Sequence, residues 1–144
     1  MRTSGETANL VPVLAFPGYR HLFPLRGLIM PTILIAEDES LIALDLAHLC
    51  EDEGWLCAGP FATCEDALQW LDDASPDVAL LDADLRDGSC LAIVRVLEER
   101  NIPWAILSGH EQRNAFGVLR EVIWIEKPAS PEVVRDVLRS LLLL

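Results

Sequence analysis

The sequence predicts an α/β domain, a doubly wound and mostly parallel sheet of five strands with helices on both faces. Two observations predict it. From Thr32 onward, short apolar runs of strand length alternate with stretches of helical periodicity. The chain is also 144 residues long and 51% hydrophobic, enough for one well-buried domain and too short for two ordinary ones. Alternating strands and helices of this kind make a sheet with right-handed crossovers. In such sheets ligands bind beyond the carboxyl ends of the strands, where the strand order reverses.

The elements follow in order. Thr32–Ala36 reads as a buried strand. Ser40 is positioned to cap a helix with Ile42, Leu46 and Leu49 at i, i+4 and i+7, stopped by Gly54. Trp55–Pro60 is a weaker second strand, and Glu65–Asp72 a short helix with Ala67, Leu68 and Leu71 on one side. Ser75-Pro76 introduces a third strand, Asp77–Leu81. A helix over Ser89–Arg100 leads to a strand over Pro103–Leu107, then a poorer helix over Glu111–Leu119, weakened by Gly117. Glu121–Glu126 is the fifth strand, and Pro131–Leu142 the last helix, with Val134, Leu138 and Leu141 on its inner stripe. The remaining Leu141–Leu144 finishes that core stripe; an exposed remainder would instead serve a homodimer or partner docking.

Residues 1–30 read as a disordered leader and 31–144 as the folded domain. The leader holds Pro12, Pro17, Pro24, Gly5, Gly18 and Gly27 without sustained periodicity, and prolines interrupt its apolar stretch Leu10–Phe16, which argues against a secretory signal. Folded patterning begins directly after Met30, which makes Met30 a candidate natural start. The expected location is cytoplasmic, because no apolar run approaches the length of a membrane span.

The net charge is −12, and residues 1–29 carry Arg2, Arg20 and Arg26 against Glu6, leaving −14 on the rest. A domain so acidic lacks the basic footprint that nucleic acid requires. The four cysteines, Cys50, Cys57, Cys64 and Cys90, form no C-x-x-C pair and have no histidines at ligand spacing, so reduced buried thiols are expected. Cys50, Cys57 and Cys64 recur every seven residues but fall in different elements, so the spacing is read as accidental. Trp55, Trp70 and Trp104 read as packing residues, and His48 as a surface or boundary residue of the first helix.

One constellation carries chemistry. Lys127 is the only lysine, against ten arginines, and it stands before a proline in Trp124-Ile125-Glu126-Lys127-Pro128. A compact ammonium is not interchangeable with a guanidinium where one oxygen must be contacted. Glu37-Asp38 end the first strand, Asp82 ends the third, and Ser108 ends the fourth. Acids at two strand ends, a hydroxyl at another and an amine at the last describe a site for a divalent cation and a phosphoryl group. Mg²⁺ favours carboxylate oxygens and commonly bridges to phosphate. A metal would also relieve repulsion among the clustered acids. Asp82 is then placed to act as a nucleophile that forms an aspartyl phosphate. Lys127 and Ser108 would face the phosphoryl oxygens.

In this order and spacing, Glu37-Asp38, Asp82, Ser108 and Lys127-Pro128 resemble the receiver domain of two-component response regulators, over roughly Pro31 to the C-terminus. Ala79-Leu80-Leu81-Asp82 with a short loop to Gly88 looks like the stand-alone receivers. The resemblance implies a flavodoxin-like (βα)5 fold with strand order 2-1-3-4-5. It implies that Asp82 accepts phosphate from a sensor histidine kinase or a histidine phosphotransfer protein. Asp38 would bind Mg²⁺ directly, Glu37 through water, and Asp84 through its backbone carbonyl. Lys127 would pair with the phosphate and Ser108 would move toward it, with Trp124 changing its packing in response. The output would be an altered affinity for a downstream protein target, read on the face of the fourth helix, fifth strand and fifth helix. The chain would not be a turnover enzyme, although it would catalyse its own phosphorylation and dephosphorylation. With no output segment after the last helix, a phosphate sink or relay intermediate is equally compatible.

Three departures from the family pattern bear on tuning. Asp84 adds a carboxylate two positions past the acceptor, where it would alter metal affinity or phosphoryl lifetime. The switch aromatic is Trp124 instead of Tyr or Phe, and its bulk would restrict the inward rotamer. The loop Leu85-Arg86-Asp87-Gly88 lacks the family's frequent proline. His110, two residues past Ser108, borders the expected site and would tune dephosphorylation. Two competing readings remain. Asp82-Ala83-Asp84 resembles the nucleophile motif of haloacid-dehalogenase-type phosphatases, but there the nucleophile strand comes first and the paired acids late. The other is a receiver-shaped binding module that works without phosphate.

Overall fold

Strands that are apolar on both sides must be covered on both sides, and the sheet is built accordingly. The computed structural model describes residues 30–109 and 122–144. Its elements are β1 (Thr32–Ala36), α1 (Ser40–Glu53), β2 (Leu56–Phe61), α2 (Cys64–Asp73), β3 (Val78–Leu81), β4 (Asp84–Leu85), β5 (Gly88–Ser89), α3 (Leu91–Glu99), β6 (Trp104–Ser108), β7 (Trp124–Glu126) and α4 (Pro131–Leu142). Five strands form one parallel sheet in the order β2-β1-β3-β6-β7, which is the expected 2-1-3-4-5. Residues 1–29 of the expected leader, with His21, the expected helix over Glu111–Leu119, and His110 lie outside the described residues.

Alternation along each strand sorts the core into two halves. Leu34, Ala36, Ala79, Leu81, Trp104 and Ile106 pack with Ala67 and Leu71 of α2 and Ile93, Val94 and Leu97 of α3. Ile33, Ile35, Val78, Leu80, Ala105 and Leu107 pack with Leu46, Leu49 and Cys50 of α1 and Val134, Leu138 and Leu141 of α4. The sheet is thus wound by helices on both faces, and the expected inner stripes of these helices are buried, with Ile42 and Leu68 partly so. Leu141 finishes the core, while Leu143 and Leu144 are exposed. Trp104 is buried, Trp55 and Trp70 pack at the margins, and His48 is exposed. Among the described residues no helix is long and apolar enough to cross a membrane.

Several expectations are corrected. Ser40 does not cap α1. Glu39 is the N-cap residue, in extended backbone and without a side-chain capping bond, and its carboxylate is used elsewhere. The chain between Asp82 and α3 is not a plain loop, because Asp84–Leu85 and Gly88–Ser89 pair antiparallel and delay the helix to Leu91. Ser108 is the last residue of β6, at the carboxyl edge where the sequence places it. The three cysteines spaced by seven fall in three different elements, Cys50 and Cys57 in one half of the core and Cys64 in the other. Gly54, left-handed at φ 73°, ends α1, and the neighbouring Cys57 thiol together with burial pushes the Cys50 thiol up.

Arg100 closes the far end of α2. Its guanidinium donates to the Ala74 carbonyl at 2.8 Å, the Ser75 hydroxyl at 2.9 Å and the Leu71 carbonyl at 2.7 Å. These bonds supply carbonyls that the helix leaves without intrahelical donors, and α2 has no basic residue of its own in its last turn. Replacing Arg100 with Ala should cost about 1–2 kcal/mol of stability. Urea unfolding checks this, and a midpoint identical to wild type would show that water substitutes fully for the guanidinium.

Candidate functional site

The carboxyl ends of β1, β3, β6 and β7 bring the nominated side chains to one sheet edge. Ala36 is in register with Leu81, so the residues that follow, Glu37 and Asp82, emerge side by side. Backbone bonds continue past the strand ends to hold them there, Asp82 N–H to Ala36 at 2.8 Å and Glu37 N–H to Phe61 at 2.8 Å. Ser108 is in register with Glu126, and the next amide, that of Lys127, donates to the Ser108 carbonyl at 3.0 Å. The lysine is joined to the following residue by a cis Lys127–Pro128 peptide.

The resulting cluster is largely withdrawn from solvent. Glu37 is 2% exposed, Asp82 5% and Ser108 1%. Lys127 Nζ lies 2.8 Å from Glu37 Oε1, 3.0 Å from Asp82 Oδ2 and 3.2 Å from Glu39 Oε1. The Ser108 hydroxyl faces Asp82 Oδ1 at 3.4 Å, and the Asp84 N–H donates to the same oxygen at 3.2 Å. The Glu39 N–H donates to Glu37 Oε2 at 3.1 Å. Burial pushes the Glu37 carboxyl up to about 7, with Asp82 adding to the rise and Lys127 opposing it. Burial alone would lower the Lys127 ammonium, but its bonds to Glu37 and Asp82 outweigh that and hold it above the usual lysine range.

The donor set fits a hard divalent cation. Glu37, Glu39 and Asp82 each offer a carboxylate oxygen, all within 4.8 Å of one another. Three carboxylates sharing one ammonium carry excess negative charge, and Mg²⁺ takes oxygen ligands of this type. Of the residues nominated for metal, Glu37 and Asp82 belong to this triad. Asp38, half-buried between Glu37 and Glu39 in the chain, does not belong to it, and Asp84 is exposed beside Asp82. Sequence reasoning missed Glu39. Its signal was present as the third acid of Glu37-Asp38-Glu39, ahead of a helix that it starts without capping.

Trp124 stands opposite Ile106 on β7, and both belong to the core half shared with α2 and α3. Ser108 is two residues beyond Ile106 on the same strand, so its side chain and Trp124 share one face of the sheet. The aromatic thus lies one pleat repeat inward of the hydroxyl along the paired strands.

Residues 33–139 match the response regulator receiver domain family. Among curated proteins, the chain is 30% identical over 103 residues to the transcriptional regulatory protein PdtaR of Mycobacterium tuberculosis, covering 68% of this chain and 50% of that protein. It is 29% identical over 117 residues to the transcriptional activator protein ExaE of Pseudomonas putida, covering 76% of this chain and 54% of the other. The chain thus spans about half the length of these relatives. Among solved structures, SdrG from Sphingomonas melonis is 30% identical with a TM-score of 0.69, covering 80% of this chain and 98% of that one. The receiver domain of Erythrobacter litoralis PhyR is 25% identical with a TM-score of 0.71, covering 80% and 92%. The match falls on the receiver pattern and not on the phosphatase alternative raised by Asp82-Ala83-Asp84. With its strand order and its acid, hydroxyl and amine at one sheet edge, the chain belongs to the response regulator receiver domain family.

Proposed function

We propose that the chain accepts a phosphoryl group on Asp82 with Mg²⁺ and signals through a phosphorylation-dependent protein interaction. The observation that carries this reading is the surrounding of Asp82. One carboxylate oxygen faces the only lysine at 3.0 Å, and the other faces the Ser108 hydroxyl at 3.4 Å. In the transfer, the P–N bond of a phosphohistidine breaks as a P–O bond forms at an Asp82 carboxylate oxygen. The imidazole leaves with the electron pair. Lys127 then faces the added negative charge, and Ser108 turns its hydroxyl from Asp82 to a phosphoryl oxygen. Glu37, Glu39 and Asp82 would hold the metal, with Asp38 and the Asp84 carbonyl as the further ligands the family pattern implies. Bound Mg²⁺ would neutralise charge on the transferring group.

The donor in this reading is a sensor histidine kinase or histidine phosphotransfer protein, and the setting is cytoplasmic. Movement of Ser108 would be relayed to Trp124 on the same face. The protein catalyses uptake and loss of its own phosphoryl group and turns over no separate substrate. Intact-protein mass spectrometry after incubation with acetyl phosphate tests this. Wild type should gain one phosphoryl adduct with Mg²⁺ and none without it, and Asp82→Asn should gain none. Unmodified wild type under every condition would overturn the phosphoacceptor reading in favour of a phosphate-independent binding module.

A further inference from the structure

The loop that follows the acceptor strand is tied to a helix outside the site. It runs from Asp82 to Cys90, and its ends are closed by the Cys90 N–H on the Ala83 carbonyl at 3.1 Å. Its own pairing is minimal, two residues on each side. Its tip is held from across the β2–α2 junction. The Asp87 carboxylate accepts from the Cys64 N–H at 2.7 Å through Oδ1 and from the Glu65 N–H at 3.1 Å through Oδ2. The Arg86 N–H donates to the Ala62 carbonyl at 3.1 Å.

The two amides that Asp87 receives are the first two of α2, which have no intrahelical acceptor. Thr63, the N-cap, covers the next one by accepting from the Asp66 N–H at 3.1 Å. Each carboxylate oxygen of Asp87 thus has its own N–H, and the helix N-terminus favours the negative charge. Those bonds to backbone amides hold the Asp87 carboxyl below the usual range. Gly88 follows at φ 127°, with open space around its missing side chain. A chain that must turn there has little stiffness of its own, and the loop has no proline.

We propose that Asp87 is a positioning residue for the phosphoacceptor site. By fixing the loop tip to the start of α2, it sets the backbone between Asp82 and Asp84, whose N–H donates to Asp82 Oδ1. It supplies from outside the stiffness that the loop lacks. This rests on the phosphoacceptor reading above, because its effect is on metal binding and phosphoryl uptake at Asp82.

The test compares Asp87→Ala, Asp87→Asn and Thr63→Ala with wild type. Mg²⁺ affinity is measured by calorimetry on the unphosphorylated protein, adduct formation from acetyl phosphate by mass spectrometry, and stability by urea unfolding. Thr63→Ala removes a cap from the same helix without touching the loop, so it reports what loss of helix capping alone does. The expected result is Mg²⁺ binding at least about threefold weaker and slower adduct formation in Asp87→Ala, with partial recovery in Asp87→Asn. Thr63→Ala should lose stability and keep wild-type Mg²⁺ affinity. Unchanged Mg²⁺ affinity in Asp87→Ala, or equal losses in Asp87→Ala and Thr63→Ala, would overturn the inference while leaving the functional reading intact. A wild type that neither binds Mg²⁺ nor forms the adduct would overturn both.

Discussion

Lys127→Ala should slow adduct formation on Asp82 roughly ten- to a hundredfold while leaving Mg²⁺ binding intact or stronger. The Nζ atom lies within 3.2 Å of Glu37, Glu39 and Asp82, and no other lysine exists in the chain to replace it. In the phosphoryl transfer it would make a charge-assisted hydrogen bond worth about 1.5–3 kcal/mol. Each 1.4 kcal/mol is tenfold in rate, which sets the range. The metal should respond in the opposite sense. Removing the ammonium leaves three carboxylates without their cation, so a divalent ion gains where the phosphoryl group loses. This split separates the chemical role from simple damage, since a misfolded site loses both. Lys127→Arg should recover little, because a planar fork does not fit a pocket built for a point charge on a chain that is 15% exposed. A Lys127→Ala protein phosphorylated at the wild-type rate would remove the lysine from the mechanism.

The parts of the fold legible in the sequence are those whose signal is local. Pro131–Leu142 agrees end to end, because Ser130 caps it, proline opens it and three apolar residues at helical spacing face the core. The strands of the sheet are legible as apolar runs between turn residues; Thr32–Ala36 agrees at both ends, and the others differ by one to three positions at one end or both. The β4–β5 pair is not legible, since two-residue strands have no period to read and form through the contacts of Asp87 and Arg86 with a distant turn. The site divides in the same way. Asp82, Ser108 and Lys127 stand out because each ends or follows an apolar run, and parallel pairing then brings the ends together. Glu39 and Asp87 do not stand out. Each has a role only because a distant group, the Lys127 ammonium or the first amides of α2, is folded against it. An acidic chain offers many carboxylates, and sequence alone does not say which ones acquire such a partner.

Gly59→Ala should destabilise the fold by about 3–5 kcal/mol, a large share of the total for a domain of this size. Between Leu34↔Ala58 and Ala36↔Phe61 the register of β1 and β2 shifts, so Gly59 and Pro60 on β2 stand opposite Ile35 alone. Gly59 takes φ 103°, and a side chain there would put Cβ 2.7 Å from both the Ile35 carbonyl oxygen and the Phe61 nitrogen. Both are backbone atoms, so no rotamer change relieves the contact. The irregularity also serves the site. Phe61, the first paired residue after it, gives its carbonyl to the Glu37 N–H at 2.8 Å. Widening the bulge to admit a methyl group would therefore move the start of the acidic cluster as well as weaken the sheet. Gly88→Ala is the control, because Gly88 also has a positive φ, of 127°, but nothing within 4 Å of the added carbon. It carries the backbone strain without the collision, and about 1–2 kcal/mol is expected from it. Thermal unfolding should place Gly59→Ala more than about 12 °C below wild type, with Gly88→Ala between them. Equal losses in the two variants would mean that φ strain, and not the approach of β1 to β2, is what requires glycine at position 59.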